Sequence, residues 1–185
     1  MFDFQASYFS IHPMMNQEAV KSFVQLFTLA DTAATERVSQ RLILALRDPA
    51  GYQRQFAEEL AERGITAELP KQELHDLALI DALLGEDLVW ESDWHDTAPA
   101  IAEGINDILE RQNRAKRLKP TALISRREPG PEQLDAVQDA LELLDLALVL
   151  FTLDSDSYPL GVVADAQADE ARHLAKELGF GITVY

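Results

Sequence analysis

The sequence of 185 residues contains no cysteine, and this excludes every structure and reaction that depends on a thiol. Disulfide frameworks, thiolate zinc sites, iron-sulfur clusters and cysteine nucleophiles are all ruled out. A chain of this length buries roughly 70% of the surface that its unfolded form exposes, so it needs no cross-link to fold. Its content of 47% hydrophobic and 26% charged residues is typical of a folded globular protein. We therefore predict one domain over residues 1–185.

Long apolar runs are also missing from the sequence. The strongest run lies near residues 141–153, is interrupted by Glu142 and Asp145, and falls short of the roughly 20 residues that span a bilayer. Residues 1–4 lack the basic region and the long apolar region that open a secretory signal peptide. We expect a cytoplasmic protein with no membrane span.

Positive charge is scarce, because 16 basic residues face 32 acidic ones and the net charge is -16. The acids dominate residues 64–110 and residues 131–185, whereas residues 111–130 are basic and residues 1–63 are nearly balanced. This surplus disfavours nucleic acids and anionic membranes as partners. It favours a basic protein partner, or serves solubility alone. We expect the basic stretch to close the C-terminus of a helix and to pair with acids elsewhere. Its bases are Arg111, Arg114, Lys116, Arg117, Lys119, Arg126 and Arg127.

Apolar residues recur with helical spacing through the first two thirds of the chain. Val20, Phe23 and Phe27 mark the first such face, and Thr35 is a candidate N-cap for the second helix, which Pro49 ends. The same patterns predict helices near residues 17–30, 35–48, 52–60, 70–85, 97–109 and 131–144, and short strands at 65–69, 88–90 and 121–124.

The last part of the chain has a different pattern. Two β-compatible runs at residues 146–153 and 159–164 precede a helix that starts after Asp165 and ends at Gly179, and residues 182–185 form a terminal strand. We predict an α+β (mixed α/β) fold, with a helix-rich subregion at 1–128 and an α/β subregion at 129–185. A small sheet is completed by this C-terminal strand-strand-helix-strand unit.

Two acids follow the first of these strands. Asp154 and Asp156 resemble the aspartates of haloacid dehalogenase-type phosphatases, in which the first carboxylate attacks phosphorus, the second handles a proton and both help to hold magnesium. The resemblance ends there, because Ser157 and Tyr158 stand where Gly and Thr are expected and few residues remain for the later motifs. The other interpretation is a turn between two strands, in which Asp and Ser side chains bond the backbone.

A second acidic segment precedes the fifth predicted helix. Glu91, Asp93 and His95 share one face if the segment is extended, with Asp96 beside them, so the types of residue suit a divalent metal or acid-base chemistry. The alternative is a turn whose acids interact with the helix N-terminus. Histidines elsewhere lack a metal-binding spacing, so we assign no catalytic, cofactor or metal residue.

Three motifs stand out in the sequence: the stretch from Asp154 to Leu160 (Asp-Ser-Asp-Ser-Tyr-Pro-Leu), the ending Leu178-Gly179-Phe180-Gly181-Ile182 and the segment from Trp90 to Trp94. With these motifs, part of the sequence resembles a family of uncharacterised bacterial domains. The resemblance covers about half the chain and implies a bacterial origin and a mixed α/β domain, with no established catalytic residues.

These observations favour a protein-interaction module, such as an immunity or inhibitor protein that binds a basic partner. A metal-dependent hydrolase or phosphotransferase that uses Asp154 and Asp156 is the alternative. A structural or regulatory homo-oligomer that pairs through the terminal strand is the second alternative. Tryptophan is enriched at binding sites, so the candidate partner-binding patch includes both tryptophans. The patch comprises Trp90, Asp93, Trp94, His95, Asp154, Asp156 and Tyr158.

Overall fold

The computed structural model describes residues 16–124 and 130–185 of the chain. The described residues form eight α-helices and one four-stranded sheet, which confirms the predicted α+β class. The helices are α1 (Gln17–Thr28), α2 (Thr32–Arg47), α3 (Pro49–Gln55), α4 (Ala57–Glu62), α5 (Lys71–Leu84), α6 (Ala98–Arg111), α7 (Pro131–Glu142) and α8 (Ala168–Leu178). The strands are β1 (Trp90–Asp93), β2 (Leu146–Phe151), β3 (Ser157–Ala164) and β4 (Ile182–Val184).

Every pairing in the sheet is antiparallel, and the spatial order is β1-β3-β2-β4. The two inner strands, β2 and β3, both come from the C-terminal part of the chain, and the predicted terminal strand, β4, pairs with β2. The fourth strand, β1, comes from the helix-rich part and pairs with β3. The sheet is therefore shared between the two predicted subregions.

Helices cover both faces of this sheet. Side chains of β2 alternate between two apolar clusters, with Ala147 and Val149 in one and Leu146 and Leu148 in the other. The first cluster contains residues of α1, α2, α5 and α8, and the second contains residues of α6 and α7. Burial on both faces explains why the β2 sequence is continuously apolar rather than alternating with polar residues.

Side-chain caps set the starts of several helices. Asn16 accepts a hydrogen bond from Ala19 N at 3.2 Å and begins α1, and Asp31 accepts one from Ala34 N at 2.9 Å and begins α2. The predicted N-cap Thr35 is wrong. Thr35 lies within α2, where its hydroxyl donates to the Asp31 carbonyl and lies 2.6 Å from the hydroxyl of Thr28.

Several predicted elements differ in the structure. The helix predicted at 52–60 is divided into α3 and α4 at Phe56, and β1 begins at Trp90, the last residue of the strand predicted at 88–90. Residues 65–69 form no strand, and residues 120–122 form a 3₁₀ turn where a strand was predicted. A short apolar run becomes a strand only if a neighbouring backbone pairs with it, and these runs have no such neighbour among the described residues.

The basic stretch at residues 111–130 contacts distant acids through Arg111. Arg111, in the last turn of α6, donates to the Asp31 carboxylate at 2.9 Å and to the Glu86 carbonyl at 2.9 Å, as predicted for a base that closes a helix. Arg114 donates to Gln112 at 2.6 Å. Arg126 and Arg127 lie outside the described residues.

A candidate partner-binding surface

Pairing of β1 with β3 brings the two predicted acidic segments together. The register places Asp93 opposite Ser157, and Trp94 N donates to the Asp156 carbonyl at 3.2 Å. The segments are more than 60 residues apart in the sequence, yet they run side by side at one end of the sheet. The turn predicted at Asp154 to Ser157 does link two strands, β2 and β3.

The turn after β1 is held by its own carboxylates. Asp96 accepts hydrogen bonds from Asp93 N at 2.8 Å and from the fully buried Ser92 hydroxyl at 3.0 Å. Asp93 in turn accepts from the backbone N–H of His95 at 2.8 Å, and its carboxylate lies 3.0 Å from His95 Nδ1. Thr97 then caps α6 by accepting from Ala100 N. These bonds fix which way the loop faces.

The hydrogen bonds within this turn favour the ionised form of the Asp93 carboxylate. The backbone N–H of His95, followed by its side chain, lowers the pKa of Asp93 below the ordinary value, because both interactions stabilise the charged form. A carboxyl group that acts as a general acid near neutral pH needs a shift in the opposite direction. Asp93 therefore presents a negative charge and is unsuited to donating a proton.

Five of the seven predicted patch residues are exposed, and two pack inward. Trp94 is 39% exposed and its ring lies against that of His95, with 3.5 Å between the centroids. Asp93, His95, Asp154 and Asp156 are also exposed. We call the surface formed by Asp93, Trp94, His95, Asp154 and Asp156 the acidic face.

The two remaining members have structural contacts. Trp90 is half-buried against the α6–α7 cluster, and its ring occupies the space that a Cβ on Gly104 would take. Tyr158 is half-buried against the same cluster. Both side chains anchor the strands from which the acidic face projects, because they attach β1 and β3 to the helices beneath.

The structure does not bring Glu91, Asp93, His95 and Asp96 together as a metal site. Glu91 pairs with Arg63 at 2.7 Å, while Asp96 is occupied by Ser92 and the backbone of Asp93. Within residues 16–124 and 130–185, no three His, Asp or Glu side chains are placed to hold a metal ion. The hydrolase hypothesis based on Asp154 and Asp156 therefore has no supporting ligand cluster in this part of the chain.

A charged cleft of about 580 Å³ was not predicted from the sequence. Arg63 bridges Asp81 of α5 and Glu91 of β1, and Arg41 of α2 bonds both Glu59 and the Tyr52 hydroxyl. Burial raises the pKa of Asp81, with Arg63 acting in the opposite direction. An aspartate inside the apolar run of α5 was the sequence signal for this network. The network ties β1 to the helical layer and so supports the acidic face.

One family model matches residues 19–185, and its description is a domain of unknown function, DUF6630. The chain belongs to this family. The match includes the leading helices, so the coverage of about half the chain that the sequence motifs indicated was too small. No curated protein and no solved structure matches the chain.

Membership of this family is consistent with the predicted resemblance and adds no activity. The matched residues include β1, β3 and the acidic face between them. In the described part of the chain, no helix combines the length and apolar character required to cross a membrane.

Proposed function

We propose that this DUF6630 protein is an interaction module of the immunity or inhibitor type, whose acidic face binds a basic protein partner. The observation that carries the proposal is the position of Trp94, an exposed aromatic side chain in one of the two acidic segments that the β1–β3 pairing aligns. Tryptophan supplies much of the binding energy at many interfaces, and surrounding charges select the partner and speed its approach.

The charge of the whole molecule supports the same partner chemistry. Residues 64–110 carry a net charge of -11 and residues 131–185 carry -9, and the basic stretch at 111–130 partly offsets them within the total of -16. Each of the two acidic regions contributes residues to the acidic face. A basic toxin or nuclease would be attracted from a distance and then held by short-range contacts. The proposal also assumes the bacterial origin and the cytoplasmic location that the sequence predicts.

The test compares two variants with the same change in charge. The first carries Trp94→Ser, Asp154→Asn and Asp156→Asn in the acidic face, and the control carries Glu18→Gln and Glu58→Gln, which are exposed acids of the nearly balanced first third. Affinity capture from source cells, quantified by mass spectrometry, should recover a basic protein with the wild-type chain and the control. The face variant should lose that protein.

Purified components then measure the interaction directly. The affinity for the captured protein should fall as salt is raised, because the Debye screening length decreases and is only about 8 Å at physiological ionic strength. If that protein inhibits growth, co-expression of the wild-type chain should restore growth and co-expression of the face variant should not. Capture of no selective basic protein, or equal capture by the face variant, would contradict the proposal.

A further inference from the structure

An apolar groove of about 700 Å³ lies between α7 and the segment that follows α6. It shares no residue with the acidic face, so a ligand bound in the groove would not occupy that face. We call it the α6–α7 groove. Its described lining residues are Arg117, Leu118, Lys119, Ala122, Leu123, Ile124, Ala136, Asp139, Ala140, Leu143 and Leu144.

Hydrogen bonds hold one wall of the groove in place. Asn106 of α6 accepts from Leu118 N at 2.8 Å and donates to the Leu118 carbonyl at 3.1 Å, which fixes the backbone beside Lys119. The small residues Ala136 and Ala140 of α7 line the opposite side. The groove is thus a preformed feature, and a ligand need not order this wall to bind.

Two large aliphatic side chains lie exposed at the groove. Ile124 is 83% exposed and Leu143 is 82% exposed, and with Trp94 they are the exposed large hydrophobic residues among those the structure describes. Full burial of such a side chain is worth roughly 1.5–3 kcal/mol. The placement of both at one groove indicates a surface that a partner covers.

The charges at the groove are opposite in sign to the molecule as a whole. Lys119 forms no ion pair with the described residues, and Arg117 is held in place by donating to the carbonyls of Arg114 and Lys116. Asp139 is the single carboxylate among the described lining residues, and it already interacts within the chain. An apolar groove with two cations on one wall is complementary to an apolar segment that carries a carboxylate.

We infer that the α6–α7 groove binds an amphipathic segment of a protein partner, in which aliphatic side chains fill the groove and an acidic side chain pairs with Lys119 and Arg117. An anionic membrane is disfavoured, because its extended negative surface repels a molecule of net charge -16. A second copy of this chain is one of the outcomes that the experiment separates. The inference does not depend on the proposed function of the acidic face.

Two short synthetic helical peptides test the inference with the full chain. They share leucines on one face and carry either glutamates or lysines on the flanking positions, and fluorescence anisotropy measures their binding. The net charge of the molecule favours the lysine peptide, whereas the groove favours the glutamate peptide. At physiological salt, where charges are screened over about 8 Å, the charges at the groove should decide in favour of glutamate.

Single substitutions locate the binding site. Leu143→Ser should weaken binding of the glutamate peptide by about tenfold, since a buried leucine is lost. Lys119→Glu should weaken it by about fivefold. Lys116→Glu, which makes the same charge change at an exposed residue that does not line the groove, and Trp94→Ser, in the acidic face, should leave it unchanged.

Three results would each overturn the inference. The first is tighter binding of the lysine peptide, or a glutamate peptide that is insensitive to Leu143→Ser and Lys119→Glu. The second is glutamate-peptide binding that requires deletion of residues 1–15, which would assign the groove to the chain's own N-terminal segment. The third is a dimer in light scattering that Leu143→Ser dissociates, which would assign the groove to a second copy.

Discussion

Trp90 and Trp94 show how the surroundings decide the role of one residue type. The two lie four residues apart in the same segment, yet Trp90 packs over α6 and Trp94 is exposed. The difference follows from Gly104, because the absence of a side chain at this position of α6 leaves room for the indole of Trp90. A Cβ at residue 104 would lie 2.1 Å from Trp90 Cδ2, far inside van der Waals contact.

Gly104→Ala should therefore destabilise the protein even though alanine favours a helix. The gain in helix propensity is about 1 kcal/mol, while overpacking costs roughly 1–3 kcal/mol, so the clash is expected to dominate. Urea unfolding monitored by circular dichroism measures the change in the free energy of unfolding.

A second background separates the two effects of Gly104→Ala. In a Trp90→Leu protein the clash is removed, and the same substitution should stabilise the helix by about 1 kcal/mol. Destabilisation of equal size in both backgrounds would show that Trp90 is not the cause.

At the level of elements, the edge strands are shorter than the strands they flank, and buried glutamines satisfy the backbone beyond their ends. The pairing of β1 with β3 reaches no further than Leu160. Beyond this residue of β3, the Val162 carbonyl accepts a hydrogen bond from Gln112 at 3.0 Å. β4 stops opposite Val149 of β2, and the neighbouring Leu148 N donates to Gln138 at 2.7 Å. Buried backbone groups need such partners, so these side chains take the place of missing strand residues.

Gln112→Leu should cost more stability than an exposed substitution of the same type. It removes the donor of both the Val162 carbonyl and the Phe27 carbonyl, and each buried group left without a partner costs about 1–3 kcal/mol. Gln40→Leu is the control, because Gln40 is exposed and should change stability by about 0.5 kcal/mol or less. Urea unfolding that ranks the two variants as equal would contradict this account of the sheet ends.

On each of the two edge strands of the sheet, a backbone group already has a hydrogen-bond partner. At β1, the N–H of Asp93 is occupied by Asp96 within the same turn, and at β4 the Val184 carbonyl accepts from Arg172 of α8 at 2.8 Å. Occupied edge groups reduce the capacity of a strand to pair with another chain. Homo-oligomerisation through the terminal strand stays a prediction. A second copy that paired with β4 would have to displace the Arg172 side chain from the Val184 carbonyl.

At the scale of the whole molecule, the excess of acid opposes the compact state. Folding concentrates a net charge of -16 in a small volume, and the ion pairs of Arg37, Arg111 and Lys21 on the surface offset little of it, because exposed pairs contribute about 0–1 kcal/mol each. Added salt screens both the net repulsion and these ion pairs. The relief of the repulsion should change the stability of the folded state more than the weakening of the pairs does.

The midpoint of thermal unfolding should therefore rise with salt at neutral pH. Between about 0.01 and 0.1 M NaCl the screening length falls from about 30 Å to about 10 Å, and each kcal/mol of relieved repulsion raises the midpoint by about 2–4 °C. Differential scanning calorimetry measures the shift. Near pH 4.5, the calculated isoelectric point, the rise should disappear, and a midpoint that falls with salt at neutral pH would contradict the argument.

The local features of this fold were open to prediction because their causes are local. Pro49 and Gly179 marked the ends of α2 and α8 correctly, and Gly179 adopts the left-handed conformation that closes α8 (φ 78°). The strands at 65–69 and 121–124 were wrong for the complementary reason, since a strand needs a partner that its own residues do not reveal. The acids of the candidate surface were recognised from the sequence, whereas Leu143 and Lys119 of the groove were not, because an exposed leucine and a buried one look alike in a helical pattern.

The sequence by itself determined that this is a cysteine-free, strongly acidic α+β chain with a β-rich end, since composition and short-range periodicity depend only on neighbouring residues. Tertiary structure decided which acids share a surface. The segments that contain Asp93 and Asp156 lie side by side because β1 leaves the helix-rich part and pairs with β3, and that long-range register is selected by the packing of Trp90 and Leu160 against α6 and α7. The same packing turned Trp94 outward, and so separated the one tryptophan that a partner can reach from the one that holds the sheet.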